Sequence, residues 1–182
     1  MITFKQFLSE STPTPTPTPS NMDGAFTVGS VSFDNVKGLG ATPNSQNVIY
    51  RGAVAWIKPS TFRKLALAAD RSSDASKIEE LMRDGKAIAA PWLDIDIVGE
   101  PSNPEMVKVT GHEGRARADA FKAINGDVYM PVQLQLSGIR ARNLSPEFFN
   151  WIEKNGLVAE RSSSTVHLNA KMYYWNYETV KV

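Results

Sequence analysis

Residues 11–20, STPTPTPTPS, constrain this chain more than any other stretch. Each proline fixes φ and removes an amide donor, so neither a helix nor a central strand can form there. What remains open is an extended polyproline II spacer. It separates a ten-residue leader, MITFKQFLSE, from a body that starts near Phe26, with residues 11–25 as linker and 26–182 as one globular domain. Ile2, Phe4, Phe7 and Leu8 can share a helical face in the leader, but one or two turns do not hold alone in water. The leader therefore reads as an address held away from the body, or as a frayed terminus.

The totals exclude several classes of function. Of 182 residues, 20 are Lys or Arg and 19 Asp or Glu, so no global basic field recruits nucleic acid and any anion site must be local. There is no Cys, which removes disulfides and thiolate metal sites, and His112 and His167 alone cannot build a histidine cage. No apolar run approaches the ~20 residues of a membrane-spanning helix, and the leader lacks the long apolar centre of a secretory signal.

The body alternates strand and helix patterns. AFTVGSVSF reads as a strand with Phe26, Val28, Val31 and Phe33, and NVIYRGAVAWI as a second β-rich segment. KPSTFRKLALAA opens a helix at Pro59 and carries Phe62, Leu65 and Leu67. SSDASKIEELMRDG places Ile78, Leu81 and Met82 on one helical face and ends at Gly85. Past Pro91, Leu93, Ile95 and Ile97 point one way along a strand and Asp94 and Asp96 the other. MVKVT is a strand, followed by a helix from about Glu113 to Ile124 that stops at Asn125-Gly126. VYMPVQLQL alternates through Val128, Met130, Val132, Leu134 and Leu136. LSPEFFNWIEKNG is a helix capped by Ser145, with Pro146 in its first turn, Phe148 and Ile152 stacked, and Gly156 closing it. The aromatic, β-branched C-terminus predicts one or two strands. Mixed elements of this kind define an α/β or α+β class, with a small mixed sheet and three to four helices.

The passage VKVTGHEGRARADAF, residues 107–121, carries the candidate chemistry. A helix start presents unpaired amides and the positive end of the macrodipole. Gly111 and Gly114 let backbone approach an anion, and Arg115 and Arg117 each offer a planar fork to phosphate oxygens. Residues two apart diverge by about 200° on a helix, so both arginines serve one phosphate only if Arg115 sits in the turn or is the first helical residue. The plain alternative is a glycine turn with one half-buried and one solvated arginine. His112 and Glu113 form a possible acid/base pair, with His112 at the rim of the phosphate site, or a simple hydrogen-bonding turn.

Weaker candidates lie elsewhere. Asp94 and Asp96 can seat a divalent metal or form a solvated strand face. Tyr173, Tyr174, Trp175 and Tyr177 can stack bases or cover a core edge, which leaves nucleic acid binding open. Tyr50-Arg51-Gly52 and SSSTV, residues 162–166, are similar to the arginine and Ser-Thr-Ser motifs of ADP-ribosyltransferases, but no Glu-x-Glu follows and only Glu178 remains, and Tyr50-Arg51-Gly52 also reads as a strand end followed by a turn.

Two further resemblances bear on function. The leader, its Leu8-Ser9-Glu10 end and the spacer after it resemble the capsid-targeting propeptides of T-even-type phage proteins. That likeness implies capsid or prohead proteins and their protease as partners, cleavage at Leu8-x-Glu10, and a place in the phage head, with delivery into host cytoplasm alongside the genome. Residues 86–136 resemble the ParB/sulfiredoxin-like superfamily: Val109-Thr110-Gly111 match the strand end, Arg115-Ala116-Arg117-Ala118 its RxRA helix start, and Met130-Pro131-Val132 its VPV strand. The resemblance implies a strand–turn–helix–strand core whose box, here Gly111, His112, Gly114, Arg115 and Arg117, binds nucleotide phosphates. His112-Glu113-Gly114 is one residue longer than the usual insert, and the long DNA-binding region of partition proteins is lacking. A nucleotide is therefore the one cofactor these likenesses suggest. A structural capsid-associated protein without ligand and a nuclease-like or ADP-ribosyltransferase-like effector enzyme are the other expectations.

Overall fold

The computed structural model describes residues 26–34, 51–68, 70–101, 103–136, 146–162, 164–168 and 172–176. The leader, its cleavage residues Leu8 and Glu10, the Thr-Pro spacer, Ser145, Tyr177 and Glu178 lie outside them. Among the described residues ten strands and four helices make a mixed α/β fold.

Phe26 to Asp34 is a hairpin rather than one strand: β1 (Phe26–Val28) pairs antiparallel with β2 (Val31–Asp34). Gly29, at φ 60, takes the first central position of the two-residue turn, where a type II′ turn needs glycine. The five-residue gap from Phe26 to Val31 already breaks the two-residue period of a single strand. β2 pairs parallel with the short β4 (Ile88–Ala89), completing a three-stranded sheet. Phe33 from this sheet meets Phe121 at 5.5 Å between ring centroids.

The larger sheet has the order β10-β3-β7-β5-β6-β8-β9. Its members are β3 (Arg51–Ile57), β5 (Trp92–Glu100), β6 (Asn103–Glu113), β7 (Met130–Leu136), β8 (Leu157–Ala159), β9 (Thr165–Val166) and β10 (Met172–Asn176). Leu93, Ile95 and Ile97 are buried as their alternation predicts, while Asp94 is half-buried and Asp96 exposed. On β7, Met130, Val132 and Leu134 are fully buried, and Gln133 on the opposite face is buried too. Val128 lies before the strand and is exposed.

The helices are α1 (Pro59–Leu65), α2 (Ala75–Arg83), α3 (Arg115–Asn125) and α4 (Pro146–Asn155). α3 packs against both α1 and α2. α1 has Pro59 at its start but no side-chain cap from Lys58. Asp127 supplies the missing acceptor, taking the Ser60 amide at 2.9 Å and the Ser60 hydroxyl at 2.5 Å. Asp119 on α3 accepts from the Arg63 guanidinium and from the Ser72 amide, both at 2.8 Å. That carboxylate ties α1, α3 and the α1–α2 connection together.

The strands flanking α3 share one sheet, but they are not a parallel crossover. β5 lies between them, paired parallel with β7 and antiparallel with β6, so β6 and β7 run in opposite directions. α3 thus returns the chain past β5 instead of forming a right-handed βαβ unit.

Candidate functional site

β6 runs three residues beyond MVKVT because Gly111, His112 and Glu113 pair with Asp94, Leu93 and Trp92 of β5. Thr110 is skipped between the Asp94–Gly111 and Ile95–Val109 pairs, which makes a bulge just before the helix. Gly111 is therefore a strand residue and not part of the turn the sequence suggested. Its lack of a side chain has another cause: a Cβ there would lie 2.8 Å from the Asp94 carboxylate. That half-buried carboxylate titrates above the usual range because burial penalises its charge.

Gly114 makes the turn. It stands at φ 108, ψ 24, in the left-handed region, immediately before α3. A Cβ would come within 2.8 Å of Pro91 Cβ and 2.9 Å of Pro91 Cα. Both the backbone angle and the contact with Pro91 demand glycine here. α3 then begins with no side-chain cap and no acidic residue in its first turn.

The two arginines separate as the helical period requires. Arg117 is turned inward, with 13% of its side chain exposed. Its Nη1 donates to the carbonyls of Ala89 at 2.9 Å and Ala90 at 3.1 Å, and Nη2 to the Glu113 carboxylate at 3.2 Å. The guanidinium staples the start of α3 to the β4–β5 link, which corrects the expectation that it supports a phosphate. Glu113 is accordingly engaged with Arg117 and is not paired with His112. Adjacent strand residues point to opposite faces, so the proposed His112–Glu113 acid/base pair is not assembled.

Arg115 is exposed and lines a cavity of about 460 Å³. β6 contributes Val109 to His112 to its wall, the end of α1 contributes Leu65, Ala66 and Leu67, and the turn after β8 contributes Glu160 and Arg161. The Glu160 amide donates to the Val109 carbonyl at 3.0 Å, pinning that turn to β6. Two arginines against one glutamate leave the lining with a net charge of +1. Half-buried His112 titrates below the usual histidine value, first through burial and then through the Arg115 charge, against a smaller opposing pull from Glu113. It is neutral at physiological pH. Arg161 escaped the sequence reading because it carries no motif; it reaches the site only through the parallel pairing of β8 with β6.

The remaining candidates do not converge on this cavity. Asp96 is exposed and its carboxylate accepts from the Ile97 amide at 2.9 Å. Among the described residues no group of three or more His, Cys, Asp and Glu is placed to hold a metal. His167 lines a separate, smaller hollow with Lys58, Thr61 and Tyr129. Arg51 and Gly52 are paired within β3, between β10 and β7, and Tyr173, Tyr174 and Trp175 lie on the edge strand β10. The chain matches no family model, no curated protein and no solved structure.

Proposed function

We propose that this chain is a phage head-interior protein whose body binds a phosphate-bearing ligand, a nucleotide, in the cavity between β6, α3, α1 and the β8–β9 turn. The observation that carries the ligand reading is that Arg115, the first residue of α3, and Arg161 line one 460 Å³ space. Its volume falls in the roughly 300–1,000 Å³ range of small-molecule sites. Arg115 is the main phosphate fork, and Arg161 takes the supporting role that Arg117 cannot. Amides of the first helical turn add oriented dipoles. Neutral His112 sits at the rim as a hydrogen-bonding group. The ParB-like likeness supports the same ligand class, since strand, glycine turn, RxRA helix start and strand occur in that order as β6, Gly114, α3 and β7. The virion placement is supported by the leader and the spacer that follows it.

Calorimetry on the full chain with nucleoside di- and triphosphates tests the ligand reading. A charge-assisted contact contributes about 1.5–3 kcal/mol, so Arg115→Ala weakens binding by roughly ten- to a hundredfold. Because Arg115 is exposed on the cavity wall, the same substitution leaves the melting temperature nearly unchanged. Absence of binding to wild type at millimolar concentration, or unfolding of the Arg115→Ala variant, would overturn the reading.

A further inference from the structure

Two helices of this protein end in the same hydrogen-bonded motif with different residues at its critical position. After α2, the Gly85 amide donates to the Met82 carbonyl and the Lys86 amide to the Leu81 carbonyl, both at 3.0 Å. After α1, the Leu67 amide donates to Lys64 at 3.1 Å and the Ala68 amide to Arg63 at 3.0 Å. Both are Schellman endings, which place one residue in the left-handed region and favour glycine there. Gly85 meets the demand at φ 73, and Gly126 and Gly156 follow α3 and α4 with positive φ. Leu67, at φ 48, is the one non-glycine residue with positive φ among those described. A leucine side chain crowds its own backbone in that conformation.

Leu67 is 47% exposed, so it is not held by burial in the core. The turn is fixed by other groups: Arg63, whose carbonyl takes the Ala68 amide, is clamped by Asp119 and by the Asp70 carbonyl. Leu67 lines the cavity beside Leu65 and Ala66, and it is the one of the three whose side chain is exposed there. The cavity therefore has a charged side with Arg115, Arg161 and Glu160 and an aliphatic side whose exposed surface comes from the strained Leu67. Strain of this kind persists only where the surroundings hold it, and it gathers at ligand-binding and active sites.

We propose that Leu67 is a specificity-determining residue that packs against the base of a bound nucleotide while Arg115 and Arg161 hold its phosphates. This rests on the phosphate-site reading above and adds a preference within it: phosphate attached to a flat aromatic base, whose ring face can lie against an aliphatic side chain, binds more tightly than phosphate alone. Leucine contributes by covering one face of the ring and excluding water from it.

The experiment measures binding of ADP, CDP and inorganic pyrophosphate to the full-length wild type, Leu67→Gly, Leu67→Asn and Arg115→Ala, with thermal melts of each. Both Leu67 substitutions lower affinity for the two nucleotides roughly tenfold, toward that of pyrophosphate, and leave pyrophosphate binding unchanged. Arg115→Ala weakens all three ligands. Leu67→Gly also raises Tm by about 2–4 °C, because glycine relieves the left-handed strain. A fall in Tm on Leu67→Gly would make the leucine structural and overturn the proposal. So would wild type binding pyrophosphate as tightly as the nucleotides, or nucleotide binding that survives both substitutions, and either result would leave the phosphate site standing. Failure of wild type to bind any of the three at millimolar concentration would remove the site and this inference together.

Discussion

Removing the Arg117 side chain leaves the Ala89 and Ala90 carbonyls without their guanidinium donor at the point where α3 leans on the β4–β5 link. Part-buried acceptors that lose a charged donor cost free energy on the scale of their desolvation, so Arg117→Ala destabilises the fold by about 1–3 kcal/mol. Arg117→Lys recovers little of that, since an ammonium cannot reproduce a planar fork that spans two carbonyls and a carboxylate. Denaturant titration checks this: the midpoint drops while the slope stays constant. An Arg117→Ala protein as stable as wild type would mean the staple contributes nothing. The contrast with Arg115 shows how much of the site could be read in advance. Helical geometry says that residues 115 and 117 must diverge, and the glycines before them announce a turn. Which arginine turns inward depends on Pro91 and on carbonyls 27 and 28 residues earlier in the chain. No local pattern contains that information. Gly111 was misplaced for the same reason, because the Asp94 carboxylate lying across from it is a cross-strand neighbour.

Helix α1 is seven residues long and depends on its surroundings more than on its own propensity. Its first turn is satisfied by Asp127, which lies after α3 and 67 residues from Ser60. Burial pushes the Asp127 carboxyl up, but the Ser60 hydroxyl and amide, with Lys122 and Lys58, outweigh it and hold the group below its usual value. A carboxylate with a lowered folded pKa contributes stability that is complete above the unfolded value, near 3.8, and is lost as pH falls through the folded one. Asp127→Ala therefore costs about 1 kcal/mol at neutral pH, the ordinary loss for a helix cap. The difference from wild type shrinks below pH 4, which paired melts across that range would reveal; a pH-independent difference would rule out the carboxylate as cap. Elements with a strong internal period were legible: α2 from Ile78, Leu81 and Met82, α3 to its Asn125-Gly126 stop, α4 from Phe148 and Ile152, and β5 and β7 from their alternation. What periodicity cannot express is pairing. The single strand expected over residues 26–33 is a hairpin, and the direction of β7 relative to β6 is set by β5 inserting between them.

The body and the leader are separate propositions, and the spacer makes them separable in experiment. Four Thr-Pro pairs between Ser11 and Ser20 are expected, from their sequence, to act as an extended spacer. A protease acting after Glu10 would then work well clear of the domain. A Thr-Pro linker is expected to transmit no change to the body when the leader goes. Two outcomes are expected together. Mature protein from purified phage particles begins at Ser11, and the chain lacking residues 1–10 binds its ligand with the affinity of the full chain. Glu10→Ala, which alters the Leu8-Ser9-Glu10 site, leaves the leader attached. Peptide mass spectrometry of particles decides the first point and calorimetry on both forms the second. An intact Met1 in particles would overturn the head-interior placement while leaving the Arg115 cavity untouched. Altered affinity after removal of the leader would show instead that leader and cavity communicate, contrary to the separation expected of the Thr-Pro run.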